Sequence, residues 1–269
     1  MVVLCALAFF DFNTMMQNMK KKQTVFVGLS GGVDSSVAAL RLIRQGYKVV
    51  GVFIKVWHPD FMVCNWEQER LDAMRVAAHL EIPFLTCDAE AAYRDEVAEY
   101  FISEYKAGRT PNPDVMCNKA VKFGAFLRFA KENGADYIAT GHYAQKIGAE
   151  MHRGVDEGKD QTYFLWSLTQ DQLDMVLFPV GDTPKDKIRK EAEQAQIPVA
   201  EKQDSQGICF LGHVDIPEFL SHYIKLKSGN VLNESGKVIG IHKGAFVYTE
   251  GQRHGFIINE SDTEKKAYY

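Results

Sequence analysis

A chain of 269 residues, 46% hydrophobic and 25% charged, has the apolar content for a large core and the length for about two domains. Its net charge of −4 supplies no global basic field to announce nucleic acid, yet Lys185 to Lys190 and the surroundings of Lys119, Lys122 and Arg128 are locally cationic, so charge neither establishes nor excludes an RNA partner. The five cysteines (Cys5, Cys64, Cys87, Cys117, Cys209) form no Cys-x-x-Cys pair and no zinc-type spacing, which points to a reducing compartment, the cytoplasm.

In chain order, Val2 to Phe10 is apolar but too short to span a bilayer and lacks a basic region or cleavage site; residues 1–18 are expected to be an extension before a more natural start at Met19. Thr24 to Val27 reads as a strand, followed by a turn containing Gly28, Gly31 and Gly32 and a helical pattern from Ser35 to Gln45. Such a strand, loop and helix start aims backbone N–H groups at one point and suits phosphate, with Ser30, Ser35 and Ser36 adding hydroxyl donors. No Lys-Ser/Thr ending is present, so a Walker A site is a poor match.

Tyr47 to Ile54 is an apolar run of the kind buried in a parallel sheet, residues 67–80 return to helical spacing, and Ile82 to Thr86 gives a third strand. A helix is expected from Ala89 to about Lys106, then an irregular Gly108-Arg109-Thr110-Pro111-Asn112-Pro113-Asp114 stretch. The next helix is expected to open at Cys117 and Asn118, where its dipole would lower the Cys117 pKa and expose the sulfur. Asp136 to Thr140 is a strand ending at Gly141-His142-Tyr143. Alternation of this kind predicts a doubly wound parallel α/β sheet with its ligand site along the strands' carboxyl ends. Beyond Gly154 the alternation breaks up: Thr183-Pro184 opens a charged helix to about Ala195, a short helix surrounds Phe219, and strand-like runs at Lys237 to Ile241 and Ala245 to Thr249 suggest a small β-rich domain. The expected division is 19–215 and 216–269.

The loop Ser-Gly-Gly-Val-Asp-Ser-Ser at residues 30–36 resembles the pyrophosphate loop of the ATP pyrophosphatases. It is followed, in order, by Gly-Arg-Thr-Pro-Asn-Pro-Asp-x-x-Cys-Asn, Ala-Thr-Gly-His-Tyr, Lys-Asp-Gln-x-Tyr-Phe-Leu, Phe-Pro-Val-Gly, Asp-Ser-Gln-Gly-Ile-Cys-Phe and Thr-Glu-Gly-Gln-Arg. Together these resemble the tRNA-specific 2-thiouridylases over residues 20 to about 258. The resemblance implies ATP- and Mg²⁺-dependent adenylation of the wobble-uridine C2 oxygen, then sulfur transfer giving 2-thiouridine, AMP and pyrophosphate.

By the same resemblance, Gly28, Leu29, Ser30, Gly31, Gly32, Val33, Asp34, Ser35, Ile54 and Gly141 would bind ATP, and no resident metal site is implied. Asn112, Pro113 and Asp114 would meet the base, with Asp114 a candidate acid/base; Lys159, Asp160 and Gln161 would contact tRNA. Cys209 would carry a persulfide from a sulfur donor, a cysteine desulfurase or sulfur-relay protein, and Cys117 would attack it, either passing through a Cys117–Cys209 disulfide after transfer or first liberating sulfide. His142 is open between contacting phosphate or base and orienting the backbone; Cys64 and Cys87 read as structural, and Trp57, Trp66 and Trp166 as packing. The family continues into a C-terminal β-barrel whose start only is expected here, leaving as alternative a nucleotide-binding remnant without activity. An ammonia-using synthetase has no need of the two motif cysteines, and iron–sulfur thiolases need an absent Cys-x-x-Cys pair.

Overall fold

A computed structural model describes residues 22–62, 66–204, 207, 209, 212 and 215–259. Cys64 and the proposed extension lie outside the described residues. Five parallel strands form the central sheet: β1 (Thr24–Gly28), β2 (Lys48–Lys55), β3 (Phe84–Asp88), β4 (Tyr137–Ala139) and, after the hairpin β5 (Ala144–Ile147) and β6 (Glu150–Arg153), the two-residue β7 (Val176–Leu177). Their order, β3-β2-β1-β4-β7, reverses direction beside β1, so the loops after β1 and β4 open at a switch point. Strand alternation covers both faces: Val25 and Val27 pack on one side and Phe26 on the other.

Helices α1 (Val33–Arg44) and α2 (Trp66–His79) cover the first face with α8 (Lys185–Gln194). The second face is covered by two helices, each widened by a π segment. In one, α3 (Glu90–Tyr93) runs through Arg94–Ala98 into α4 (Glu99–Lys106); in the other, α5 (Pro113–Met116) runs through Cys117–Ala125 into α6 (Phe126–Glu132). The short helix α7 (Gln170–Asp174) carries a capping box made by Thr169 and Gln172. Gly181, the glycine of Phe-Pro-Val-Gly, lies so close to the Ala144 carbonyl that any side chain would overlap it.

Beyond α9 (Ile216–Ser221) stand the antiparallel strands β8 (Gly229–Leu232), β9 (Val238–His242) and β10 (Ile257–Ile258). A third apolar cluster joins α9 and the segment around Val247 to the α/β part, through Phe219 and Leu220 of α9, Val247, and Phe101 and Tyr105 of α4. The strand expected at Ala245 to Thr249 is instead a 3₁₀ turn, Ala245–Val247, entered at Gly244 with a positive φ of 157°. The hairpin and β7 carry no signal in the sequence: four polar-mixed residues and a two-residue strand hold too little periodicity. No helix among the described residues is long and apolar enough to cross a membrane.

Candidate functional site

The loop after β1 is shaped by close approaches. Gly31 has φ of +71°, and a Cβ there would come 2.7 Å from the Glu69 carbonyl oxygen of α2. Gly141 lies against the loop from the β4 side, where a Cβ would stand 2.7 Å from Ser35 N and 2.9 Å from the Asp34 carbonyl carbon. Both positions require glycine because backbone cannot yield as a flexible side-chain tip can. Helix α1 starts at Val33, two residues earlier than the spacing predicts, and Gly32 caps it without a side-chain hydrogen bond. Its first-turn N–H groups and the positive end of a twelve-residue helix therefore suit phosphate. The hydroxyls behave differently from expectation: Ser35 and Ser36 are buried and donate back to the Gly32 carbonyl at 3.1 and 2.7 Å, so they brace the loop, while Ser30 is exposed. Ile54 is buried on β2, in contact range of the Gly28 position, and Leu29 is buried beneath the loop.

Asp34 opens from this loop into an ion network. Lys185 Nζ reaches Asp34 Oδ1 and Oδ2 at 2.7 and 2.8 Å and Asp204 Oδ1 at 2.7 Å; Lys159 and Arg189 also hold Asp204, at 2.8 and 2.6 Å. Tyr143 donates to Asp34 Oδ1 at 2.8 Å. Burial works against the Asp204 charge, but the hydrogen bonds from Lys159 and Lys185 and their charges bring its pKa down to about 2. The network ties the phosphate loop to the start of the segment that carries Cys209.

The three residues expected at tRNA have internal partners. Besides Lys159, Asp160 accepts from the Gly154 N–H and from Thr162 Oγ1, and Gln161 accepts from the Tyr143 N–H. Asn112 and Pro113 likewise act locally. Asn112 caps α5, accepting from the N–H groups of Asp114 and Val115, and Pro113 occupies the first turn. Thr110 meets Thr249 at 3.1 Å between hydroxyls, bringing the Gly-Arg-Thr-Pro and Thr-Glu-Gly-Gln-Arg motifs together.

The helix therefore opens at Pro113 and not at Cys117. Cys117 sits one turn in, buried, and the environment raises its thiol pKa well above the ordinary value, foremost by burial and then by its contact with Cys209. The expectation of an exposed, dipole-activated Cys117 is corrected; Pro113 can start a helix because its missing N–H costs nothing at that position. The partner of Cys117 in the contact, Cys209, is shifted the other way. A hydrogen bond from Cys117 lowers its pKa, burial opposes, and the Lys122 charge lowers it further, to about 6. Asp114 Oδ1 accepts from the Cys209 N–H at 2.8 Å, and Tyr93 donates to the Cys209 carbonyl at 3.0 Å, so the sulfur is oriented through its backbone.

His142 is buried, with Nδ1 2.7 Å from Thr140 Oγ1 and Nε2 3.4 Å from Lys122 Nζ; burial and the Lys122 charge keep its pKa far below the usual imidazole range. Cys87 is buried with its thiol pushed up to about 11, consistent with a packing role. Trp57 and Trp66 pack against the cores, whereas Trp166 is 72% exposed and packs little. Sequence reasoning singled out Lys122 only as part of a cationic cluster.

Residues 23–213 match a family described as tRNA methyl transferase HUP domain, and residues 217–269 one described as tRNA methyl transferase PRC-barrel domain. The chain is 53% identical to the tRNA-specific 2-thiouridylase MnmA of Oceanobacillus iheyensis, covering 91% of this chain and 68% of that protein. It is 51% identical to the protein of the same name from Streptococcus uberis, covering 87% and 65%. It thus spans about two thirds of the length of these curated relatives. Among solved structures, a 4-thiouridine synthetase in complex with RNA and ATP shares 20% identity at a TM-score of 0.43, covering 74% of this chain and 50% of that one. On these matches the chain belongs to the tRNA-specific 2-thiouridylase family.

Proposed function

We propose that this chain forms 2-thiouridine at the wobble position of tRNA, using ATP with Mg²⁺ and a persulfide donor, in the cytoplasm. The observation that carries the reading is the hydrogen-bonded contact between Cys117 and Cys209, residues far apart in sequence, on the sheet edge that also presents the phosphate loop. Neither a simple nucleotide-binding domain nor an ammonia-using synthetase requires that contact.

In this reading Gly28 to Ser35 cradle the ATP phosphates with backbone N–H groups, and Ile54 and Gly141 bound the nucleotide. The Gly31 and Gly141 approaches support that role by letting α2 and the end of β4 pack directly against the loop and hold its backbone in place. Mg²⁺ accompanying the nucleotide would supply positive charge that favours departure of pyrophosphate. The uridine O2 attacks the α-phosphorus and pyrophosphate departs. The outer sulfur of a Cys209 persulfide adds at C2, and AMP leaves. Cys117, deprotonated, attacks the inner sulfur, the S–S bond breaks with its electron pair going to the sulfur on C2, and a Cys117–Cys209 disulfide remains to be reduced. Asp114 serves as acid/base at the base, beside Asn112 and Pro113; its bond to the Cys209 N–H supports a location near the sulfur. Lys159, Asp160 and Gln161 contact tRNA by exchanging or extending their present internal contacts. Residues 19–215 form the catalytic unit and 216–269 the smaller one.

The test is incubation with ATP, Mg²⁺, unmodified tRNA and a persulfide source, followed by nucleoside mass spectrometry. Thiouridine from the wild type and none from Cys209→Ser supports the reading. ATP binding without any thiouridine would instead favour a nucleotide-binding remnant, which the assembled cysteine pair does not favour.

A further inference from the structure

Lys122 has no part in the reading above, yet it is built into the cysteine chamber. It follows Cys117 by five positions, and in a regular α-helix five steps would set their side chains about 140° apart. The π segment Cys117–Ala125 changes this, because i→i+5 hydrogen bonding brings residues five apart toward one face. There the Lys122 ammonium makes a hydrogen bond to Cys209 and lies near Cys117 and Asp114. Its other neighbour is fixed from β4. An ammonium only donates, so His142 Nε2 must turn its lone pair to Lys122, which puts the ring proton on Nδ1, donated to Thr140 Oγ1 at 2.7 Å. Thr140 and His142 thus set the direction from which Lys122 meets Cys209.

We propose that Lys122 is a positioning residue that holds the sulfur of Cys209 and the negative charge that sulfur carries during transfer. The proposal rests on the thiolation reading and adds the side chain that holds the sulfur-carrying cysteine. The groups facing Cys209 are Cys117, Lys122, Asp114 and Tyr93, with His142 behind Lys122. Burial alone would raise both thiols, and Asp114 acts in the same sense; Cys117 donates to the Cys209 sulfur and Lys122 supplies the positive charge. His142, held neutral, adds none, and Tyr93 stays protonated because burial drives its pKa up.

In the loading step the Cys209 thiolate attacks the outer sulfur of a donor persulfide, R–S–SH. The donor S–S bond breaks, its electron pair leaves on the inner sulfur, and the proton passes to that sulfur. The products are the Cys209 persulfide anion and R–SH, with no net oxidation. Charge at the chamber is unchanged, so Lys122 faces an anion before and after transfer.

The test needs neither ATP, tRNA nor a sulfur donor. Alkylation of Cys209 by iodoacetamide is followed by peptide mass spectrometry between pH 5 and 9 in the reduced full chain and in its Lys122→Met and Lys122→Arg variants. The expected wild-type midpoint lies clearly below the ordinary thiol value. Lys122→Met raises it and slows alkylation at pH 6.5 by about tenfold, whereas Lys122→Arg keeps most of the reactivity. A wild-type midpoint at or above about 8.5, the ordinary thiol value, overturns the proposal without any variant having to fold. So does a folded Lys122→Met chain with an unshifted midpoint, even where the wild type makes thiouridine. Conversely, a shifted midpoint in a chain that makes no thiouridine upholds the Lys122–Cys209 contact and rejects the thiolation reading, and with it the sulfur-accepting role.

Discussion

The phosphate loop and the cysteine chamber share one sheet edge but are made of different material. The loop is backbone: Gly31 and Gly141 admit main chain within van der Waals range, Gly32 leaves a helix N-terminus uncapped, and the serine hydroxyls brace the turn. The chamber is side chains delivered from distant elements, with Cys117 and Lys122 from one helix, His142 from the end of β4 and Cys209 from beyond α8. A backbone site is rigid and insensitive to pH, and it tolerates changes in most side chains around it. A side-chain site can be tuned in charge, but each member depends on the others.

The largest effect should come from splitting the pair. Cys117→Ser and Cys209→Ser are each expected to lower thiouridine formation by about 10³-fold or more while leaving ATP affinity within about twofold, measured by nucleoside mass spectrometry and titration calorimetry. Equal loss of ATP binding would show that the two sites are not separable. Gly141→Ala attacks the other partner: its Cβ meets the Ser35 N–H and Asp34 backbone, so ATP affinity should fall by tenfold or more while the Cys209 alkylation profile stays put.

Asp204 belongs to both regions through Lys185 and Asp34, and Asp204→Asn should cost about 1–3 kcal/mol in urea unfolding at pH 7, because three cations lose their shared anion. Its folded pKa, about 2, lies below the unfolded value of about 3.9. The stabilisation is therefore complete above about pH 4 and fades as pH falls toward 2, so wild type and variant should converge across that window. A gap that persists at low pH would point to packing in place of charge.

The difference between the regions also decides what the sequence could tell. A glycine-rich turn between an apolar strand and a helix is a local pattern, so the loop and the five-element core around it were readable, as was the parallel sheet. Cys117 and Cys209 were readable only through their motifs. Their inequality was not, because it depends on Lys122 and on a helix start that Asn112 and Pro113 move four residues upstream of Cys117. Lys122 itself was hidden by the assumption of 3.6 residues per turn, under which it points away from Cys117. Likewise Lys159, Asp160 and Gln161 have internal partners that no spacing discloses.

The widened turn at Cys117–Ala125 also bears on how this protein can be made more robust. Replacing a mid-helix glycine by alanine ordinarily gains about 0.5–1 kcal/mol, and Gly124 would be an obvious target. Here the new methyl would stand 2.9 Å from the Lys119 carbonyl oxygen, five residues back, because the looser winding carries that oxygen under it. Gly124→Ala should therefore lower thermal stability by about 1 kcal/mol where the usual rule predicts a rise, readable as a fall in Tm. Any reshaping that tightened the helix to regular pitch would turn the lysine away from its thiol, so hardening this stretch and keeping its chemistry are opposed aims.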